Sequence, residues 1–513
     1  MSHYDVIIVG AGISGISAAV HIQKTCPGKS FTILEARETI GGTWDLFRYP
    51  GVRSDSDMHT LGFSFKPWTE AKSIADGPSI LKYVNQTTDE FGLRDSIQLG
   101  TKVRKAEWST EEARWQLTVE KSDGETETLT CGFIGMCGGY YNYEQPHDPE
   151  FTNMGSFQGK IVHPQFWPEG MDYSGKKVVV IGSGATAMTL VPSMAEKGAQ
   201  VTMVQRSPTY VVSRPDHDKV ANVLRKCLPD SWAYAITRFK NTLLQGYFYR
   251  QTRVAPSVIK RKILDGVRAH LGKEVTEKHF TPSYNPWDQR LCLIPNGDLF
   301  KAINKGDVQV VTEQIDTFTQ DGLKLKNGEV LPADIIVTAT GLKLIVLSGV
   351  EFVVDGQAVD VPETFSYKGM MFSGIPNMAQ TFGYINASWT LRADLTSEYI
   401  CRLLNYMDEV GMKQATPTLR AEDAGMQVRP WIDDFKGGYM TRSMHLFPRQ
   451  GEGPWRNTQD FAVDKKMVRK APIADSALKF SNPMGEPGGA FSGGAFSGGT
   501  LSDGVSQKEK STA

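Results

Sequence analysis

Residues 4–15 read Tyr-Asp-Val-Ile-Ile-Val-Gly-Ala-Gly-Ile-Ser-Gly. The stretch from Tyr4 to Val9 has the length and apolar content of a buried strand, and it breaks directly into Gly10, Gly12 and Gly15 at G-x-G-x-x-G spacing. The pattern predicts a strand, a tight turn and a helix running to about His21. A second strand, Phe31 to Leu34, ends in Glu35, 20 residues beyond Gly15. Such a unit binds a dinucleotide: the first glycine permits the turn, the second lets the backbone approach a pyrophosphate, and the third lets helix and strand pack closely. Free N–H groups at the helix start face the phosphates, and Glu35 stands where a carboxylate bonds ribose hydroxyls.

The pattern returns. Lys177 to Ile181 is a second apolar strand, followed by Gly182, Ser183, Gly184, Ala185, Thr186 and Ala187, a helix, and a strand from Gln200 to Val204. Where the first unit has Glu35, the second has Arg206 and then Ser207. A carboxylate there would repel a 2′-phosphate, whereas a guanidinium beside a hydroxyl binds one, so the second unit reads as an NADPH site. Two such units in one chain suggest a flavoprotein, with FAD in the first, fed by NADPH. The expected fold is α/β, two Rossmann-like domains with a helical insertion. Residues 1–152 would form the first part of the FAD domain and 153–215 the first part of the NADPH domain. Residues 216–287 would be the insertion, 288–341 the rest of the NADPH domain with a strand at Ile335 to Thr338, and 342–481 the rest of the FAD domain, closing with a helix near Leu391 to Met407. Residues 482–513, rich in Gly and Ser, are expected to be disordered.

A chain of 513 residues fits two or three domains. Its net charge of −1 gives no whole-chain reason to expect nucleic-acid binding. Six scattered cysteines without a C-x-x-C pair argue against a disulfide framework, a structural metal site and a dithiol redox centre. Many flavin reductases use such a cysteine pair, so reduced flavin here must pass its electrons elsewhere, and O2 is the simplest acceptor. With no signal-peptide pattern and no apolar run of about 20 residues, a cytoplasmic protein is expected. From Lys219 to Lys273 there are twelve Lys or Arg against two Asp, with Trp232, Tyr234, Phe239, Tyr247, Phe248 and Tyr249 interleaved. Two readings stand: a solvated helical surface balanced by acids elsewhere, which the sequence favours, or a face for peripheral contact with an anionic membrane.

Between the two glycine motifs, Phe157, Gly159, His163, Trp167 and Pro168 stand at F-x-G-x-x-x-H-x-x-x-W-P spacing. This run resembles the signature of Baeyer–Villiger flavin monooxygenases. Gly41 to Gly51 with Arg53 to Asp57 resembles their flavin-side block, and Tyr284 to Leu291 their catalytic-arginine block. The chain looks most similar to the ethionamide-activating branch, close to the long-chain alkane monooxygenases. The resemblance implies that NADPH reduces FAD, that a flavin C4a-peroxide forms with O2, and that a small lipophilic ketone becomes an ester or lactone, with sulfides also oxidised. It implies that Arg290 is the catalytic cation and Asp55 the acid that orients it. It further implies that Ser14, Glu35, Thr43, Trp44, Asp45, Leu46, Asp55 and Val103 touch FAD. Gly182 to Ala187, Arg206, Ser207 and Arg53 would hold NADPH. His163 precedes Pro164 and is biased to an extended conformation, so His163 and Trp167 read as an interdomain hinge or as packing. Many relatives carry a lysine before the catalytic arginine, whereas this chain has Gln289, leaving the 2′-phosphate mainly to Arg206 and Ser207. Pocket residues are expected from the insertion and from Leu342 to Met371. Competing readings on the same scaffold are a heteroatom oxygenase, a terminal alkane hydroxylase, and a flavin-binding redox sensor without turnover.

Overall fold

In the computed structural model, which describes residues 2–483, two β-sheets, the first mixed and the second wholly parallel, are each built around one glycine motif. The strand Ser2–Val9 pairs in parallel with Phe31–Leu34 on one side and with Thr126–Met136 on the other. The sheet continues through Arg114–Lys121 and Thr101–Ser109. Glu351–Val354 adds in parallel to Thr101–Ser109, and Met378–Gln380 to Thr126–Met136, so the chain returns to this sheet late in the sequence. The second sheet is wholly parallel, in the order Val308–Thr312, Gln200–Gln205, Lys177–Ile181, Ile335–Thr338, Lys160–Val162. Alternating strand and helix with fully buried apolar strands is what drives this doubly wound arrangement.

The two glycine turns close in the same way. Gly10 N donates to Leu34 O at 2.7 Å, and Gly182 N donates to Val204 O at 2.8 Å. The helix after the first turn spans Ile13–Thr25, one turn beyond the expected His21. Nothing at His21 breaks it, and it stops where Pro27 forbids the preceding residue a helical conformation. After the second turn the helix is Ala185–Glu196. The closing helix spans Trp389–Glu409 and packs on Ile13–Thr25. There the buried Asp394 accepts from Ser17 at 2.9 Å and pairs with Arg238 at 3.1 Å.

Residues 219–279 are helical over Lys219–Cys227, Asp230–Val254 and Pro256–His279, broken near Pro229 and Pro256, and the last is kinked into two at Gly272, which has φ +76°. Among the described residues no helix is long and apolar enough to cross a membrane. The expectation of disorder for the Gly/Ser-rich tail falls almost wholly outside the described residues.

A buried ion pair anchors the closing helix. Arg392 Nη1 lies 2.5 Å from Asp464 Oδ2, which also accepts from Tyr384 at 2.7 Å, and Thr458 donates to the other oxygen at 2.6 Å. Arg392→Leu would leave the Asp464 charge buried without its cation and should cost roughly 3–5 kcal/mol. Urea unfolding of the FAD-loaded protein should show this, with the Arg392→Leu/Asp464→Leu double variant losing less than the single one.

Candidate active site

Both glycine turns open onto one cleft of about 1170 Å³, lined by Gly10 and Gly12 from the first and by Gly182 and Gly184 from the second. The glycines divide into two kinds. Gly10 and Gly182 need their freedom, at φ +103° and +134°, and a Cβ on Gly15 would sit 1.8 Å from Gly10 O. Gly12 and Gly184 have ordinary φ values of −77° and −78°. A Cβ on Gly184 would meet nothing within 4 Å, and on Gly12 nothing nearer than Gly42 Cα at 3.7 Å. Neither conformation nor packing calls for glycine at these two positions. Each faces the cleft at a helix N-terminus, which is the open cradle that a pyrophosphate fills. The residues therefore fit two dinucleotides.

Around the first cradle, the buried Glu35 accepts from Ala11 N at 2.7 Å and from Arg37 N at 3.0 Å. Burial raises its pKa despite those bonds. Each carboxylate oxygen keeps lone-pair capacity for a ribose hydroxyl. Ser14 Oγ accepts from Trp389 Nε1 at 2.7 Å, leaving its own proton to donate, and Thr43 Oγ1 lies 3.1 Å from the Tyr143 hydroxyl. Ser14, Glu35, Thr43, Trp44, Leu46 and Val103 all line the cleft. Asp45 does not. Its buried carboxylate is taken up by Arg37 at 2.7 Å, Arg48 at 2.5 Å and Thr39 at 2.5 Å, so the side chain braces the loop from behind. Gly15 and Ala187 are packing positions, also off the cleft wall.

Arg290 and Asp55 are 235 residues apart in sequence and meet on the cleft wall in a hydrogen-bonded ion pair. Arg290 Nη1 also donates to Ile385 O at 3.2 Å. Burial alone would weaken the guanidinium's hold on its proton, but the Asp55 charge reverses this and raises the pKa well above the ordinary value. Burial pushes the Asp55 carboxyl up as well, and Arg290 outweighs it, holding Asp55 below the usual carboxylate range. The pair stays ionised at every working pH. Tyr439 stands beside it, its phenol held neutral by burial, and Tyr140 stacks on Trp389 at 5.3 Å across the same wall.

Beside the second cradle, Arg206 and Ser207 line the cleft. Arg53 is half committed: Nη1 pairs with Asp298 at 2.6 Å, while its buried Nη2 has no partner. The sequence reading missed Arg442. It lies in the short helix Gly438–Ser443 and lines the cleft with its guanidinium against Gly341. Burial and the nearby charge of Arg206 lower its pKa. Neither arginine has a carboxylate partner among the described residues. Two guanidinium groups without a carboxylate, both facing one cleft, are the chemistry that binds a dianion. No local sequence signal marks Arg442, since it is brought in from 236 residues beyond Arg206.

The run 157–168 lies off the cleft. Phe157 is buried in the second sheet's core, and a Cβ on Gly159 would sit 2.4 Å from both Asp334 O and the Phe157 ring. Lys160–Val162 is the edge strand of that sheet. His163 accepts from Gln165 N at 3.1 Å, and its buried Nε2 has no hydrogen-bond partner. Trp167 packs edge-on against Tyr173 at 6.2 Å, ahead of Pro168. Gln165, which the sequence reading passed over, ties this turn to the carbonyls of Asn142 at 2.9 Å and Tyr143 at 3.1 Å. The expected pocket segment contributes Leu342, Ile345 and Ser348, but the insertion supplies only Tyr284. Leu344 and Leu347 are core residues, because their side chains pack behind the wall.

Fold and cleft together define a flavoprotein with two dinucleotide sites. The two cysteines at the cleft, Cys137 and Cys292, are free thiols pushed up to about 12 by burial. The family model described as pyridine nucleotide-disulphide oxidoreductase matches residues 7–230. The FAD-containing monooxygenase EthA of Mycobacterium tuberculosis is 52% identical over 483 residues, covering 93% of this chain and 98% of that protein. EthA of Mycolicibacterium smegmatis is 51% identical, covering 93% and 97%. Among solved structures, an oxidised steroid monooxygenase bound to NADP superposes with a TM-score of 0.75 at 22% identity, covering 94% of this chain and all of that one. The chain belongs to the family of FAD-containing monooxygenases.

Arg442→Ala should leave FAD content unchanged and reduce the preference for NADPH over NADH by about ten-fold, the loss expected for one charge-assisted phosphate contact. Steady-state KM values for both nucleotides test this, and an unchanged ratio would remove Arg442 from the phosphate site.

Proposed function

We propose that this monooxygenase uses NADPH and O2 to insert one oxygen atom beside the carbonyl of a small lipophilic ketone, giving an ester or lactone. Sulfides would be oxidised at the same place. The observation that supports this reading most is the Arg290–Asp55 pair on the wall of a cleft with two empty-sided glycine cradles. When bound, FAD supplies the redox chemistry that activates O2. The rest falls to the chain. Gly12, Ser14, Glu35 and Val103 would hold FAD, and Gly184, Arg206, Ser207, Arg53 and Arg442 would hold NADPH. Negative charge develops on oxygen when a carbonyl is attacked, and the fixed donors of Arg290 lie ready to stabilise it without reorganisation. Asp55 keeps Arg290 on the wall. Tyr140, Trp389 and Tyr439 exclude water that would otherwise divert the oxygen. The same reading places the protein in the cytoplasm, working on substrates of low polarity. Sulfur is itself nucleophilic and needs no carbonyl activation, so sulfide oxidation should depend less on Arg290.

Turnover of the FAD-loaded protein with NADPH and isotopically labelled O2, against an aryl alkyl ketone and an aryl alkyl sulfide, tests the reading. The expected products are an ester carrying one labelled oxygen and a labelled sulfoxide. Sulfoxide without ester would overturn the ketone assignment, and hydrogen peroxide alone would overturn oxygen transfer.

A further inference from the structure

The helix Asp230–Val254 is built inside out. Its polar residues face the protein. Arg238 donates to the carbonyls of His59, Thr60 and Gly62 at 2.8 to 3.1 Å and pairs with Asp394. Asn241 and Gln245 donate to Asp57 at 2.9 and 3.0 Å, and Arg253 pairs with Asp288 at 2.8 Å. Its apolar residues face out. Trp232, Ile236, Phe239, Leu243 and Tyr247 recur at helical spacing, and Trp232, Phe239 and Tyr247 are 67%, 63% and 65% exposed. Val220 and Val223 on the adjoining helix Lys219–Cys227 are exposed as well. Arg250 is the only charged residue among the exposed positions between Trp232 and Val254. A face spent on water would carry the polar residues, and here most of them are spent on the protein.

We infer that this face is a docking surface for an anionic lipid bilayer, from which lipophilic substrate reaches the cleft. A contiguous exposed apolar stripe calls for a partner. Three observations identify the partner. Aromatic and aliphatic side chains on a helix about 37 Å long, with a basic surround, are the composition that seats a helix in the headgroup layer. The exposed Lys219, Lys226, Arg250, Arg261 and Lys262 have no ion-pair partner among the described residues, which leaves their charge for anionic headgroups. A second copy docking face to face would bring two such basic surfaces together. Finally, the far end of the helix leads toward the chemistry. Tyr249 and Arg253 line a second cavity of about 220 Å³ with Trp287, Ile385, Ile432 and Phe435. The Ile385 carbonyl is the one that Arg290 holds.

This inference rests on the reading of a lipophilic substrate, but its test does not. FAD-loaded full-length protein is sedimented with phosphatidylcholine vesicles and with phosphatidylcholine–phosphatidylglycerol vesicles. Binding is expected to the anionic vesicles, falling with salt as surface charges are screened. The triple variant Trp232→Ser/Phe239→Ser/Tyr247→Ser should bind about ten-fold less while oxidising NADPH with a water-soluble sulfide at the parent rate. The charge-reversal variant Lys226→Glu/Arg250→Glu/Arg261→Glu, which leaves the stripe intact, should also lose low-salt binding. Absence of parent binding to anionic vesicles, or equal binding by parent and both variants, would overturn the inference. So would a parent dimer that the triple variant converts to monomer without lipid, since that assigns the face to a second copy. A protein that binds vesicles but makes no oxygenated product would leave the inference standing and remove the proposed reaction.

Discussion

A guanidinium that keeps its proton, held on a cleft wall by one carboxylate, is the constraint around which this molecule is arranged. Arg290 and Asp55 come from loops that are remote in sequence, and each keeps the other charged on the cleft wall. Burial opposes both charges, and each charge outweighs burial for its partner. The loop carrying Asp55 is continuous with the one that holds Arg53 to Asp298, and the loop carrying Arg290 runs into the strand Cys292–Pro295, which pairs in parallel with Val211–Arg214 as a separate two-stranded sheet. Two halves of the chain are thus tied at the point where the proposed chemistry occurs.

The remainder of the site follows from a repeated unit used twice. Each sheet ends a strand in a glycine turn closed by the same backbone bond, and each turn leaves one glycine that its own chain does not require. What separates the two copies is the residue after the next strand: buried Glu35 in one, and Arg206 with Arg442 beside it in the other. Two cofactors of different charge can therefore lie in one cleft without exchanging places. The helical segment contributes little to that cleft and much to the outer surface.

Much of this was legible in the chain because the deciding signals are local. A strand, a spaced glycine set and an acid or base at the next strand end lie within about 35 residues and need no tertiary information. The helical breaks at Pro229 and Pro256 were legible for the same reason, whereas the kink at Gly272 was not. What was not legible depends on which way a side chain turns. Asp45 sits in a flavin-side motif yet points behind the loop into two arginines. Arg442 carries no motif, and only folding brings it to Arg206. The helix 230–254 looked like a solvated surface by composition, because its many cations suggested water. Three of them, Arg238, Lys240 and Arg253, instead pair with carboxylates of the protein, which only their orientation in the fold shows.

The most direct test of the central claim separates electron transfer from oxygen transfer in a single variant, Arg290→Met. Rapid mixing with NADPH, first without O2 and then with O2 and a ketone, would follow flavin reduction by absorbance and the product by mass spectrometry. The account predicts reduction within about a factor of ten of the parent and loss of ester by about a hundred- to a thousand-fold, the range for removing one preorganised donor to developing charge. Ester formed at the parental rate by the Arg290→Met variant would contradict it.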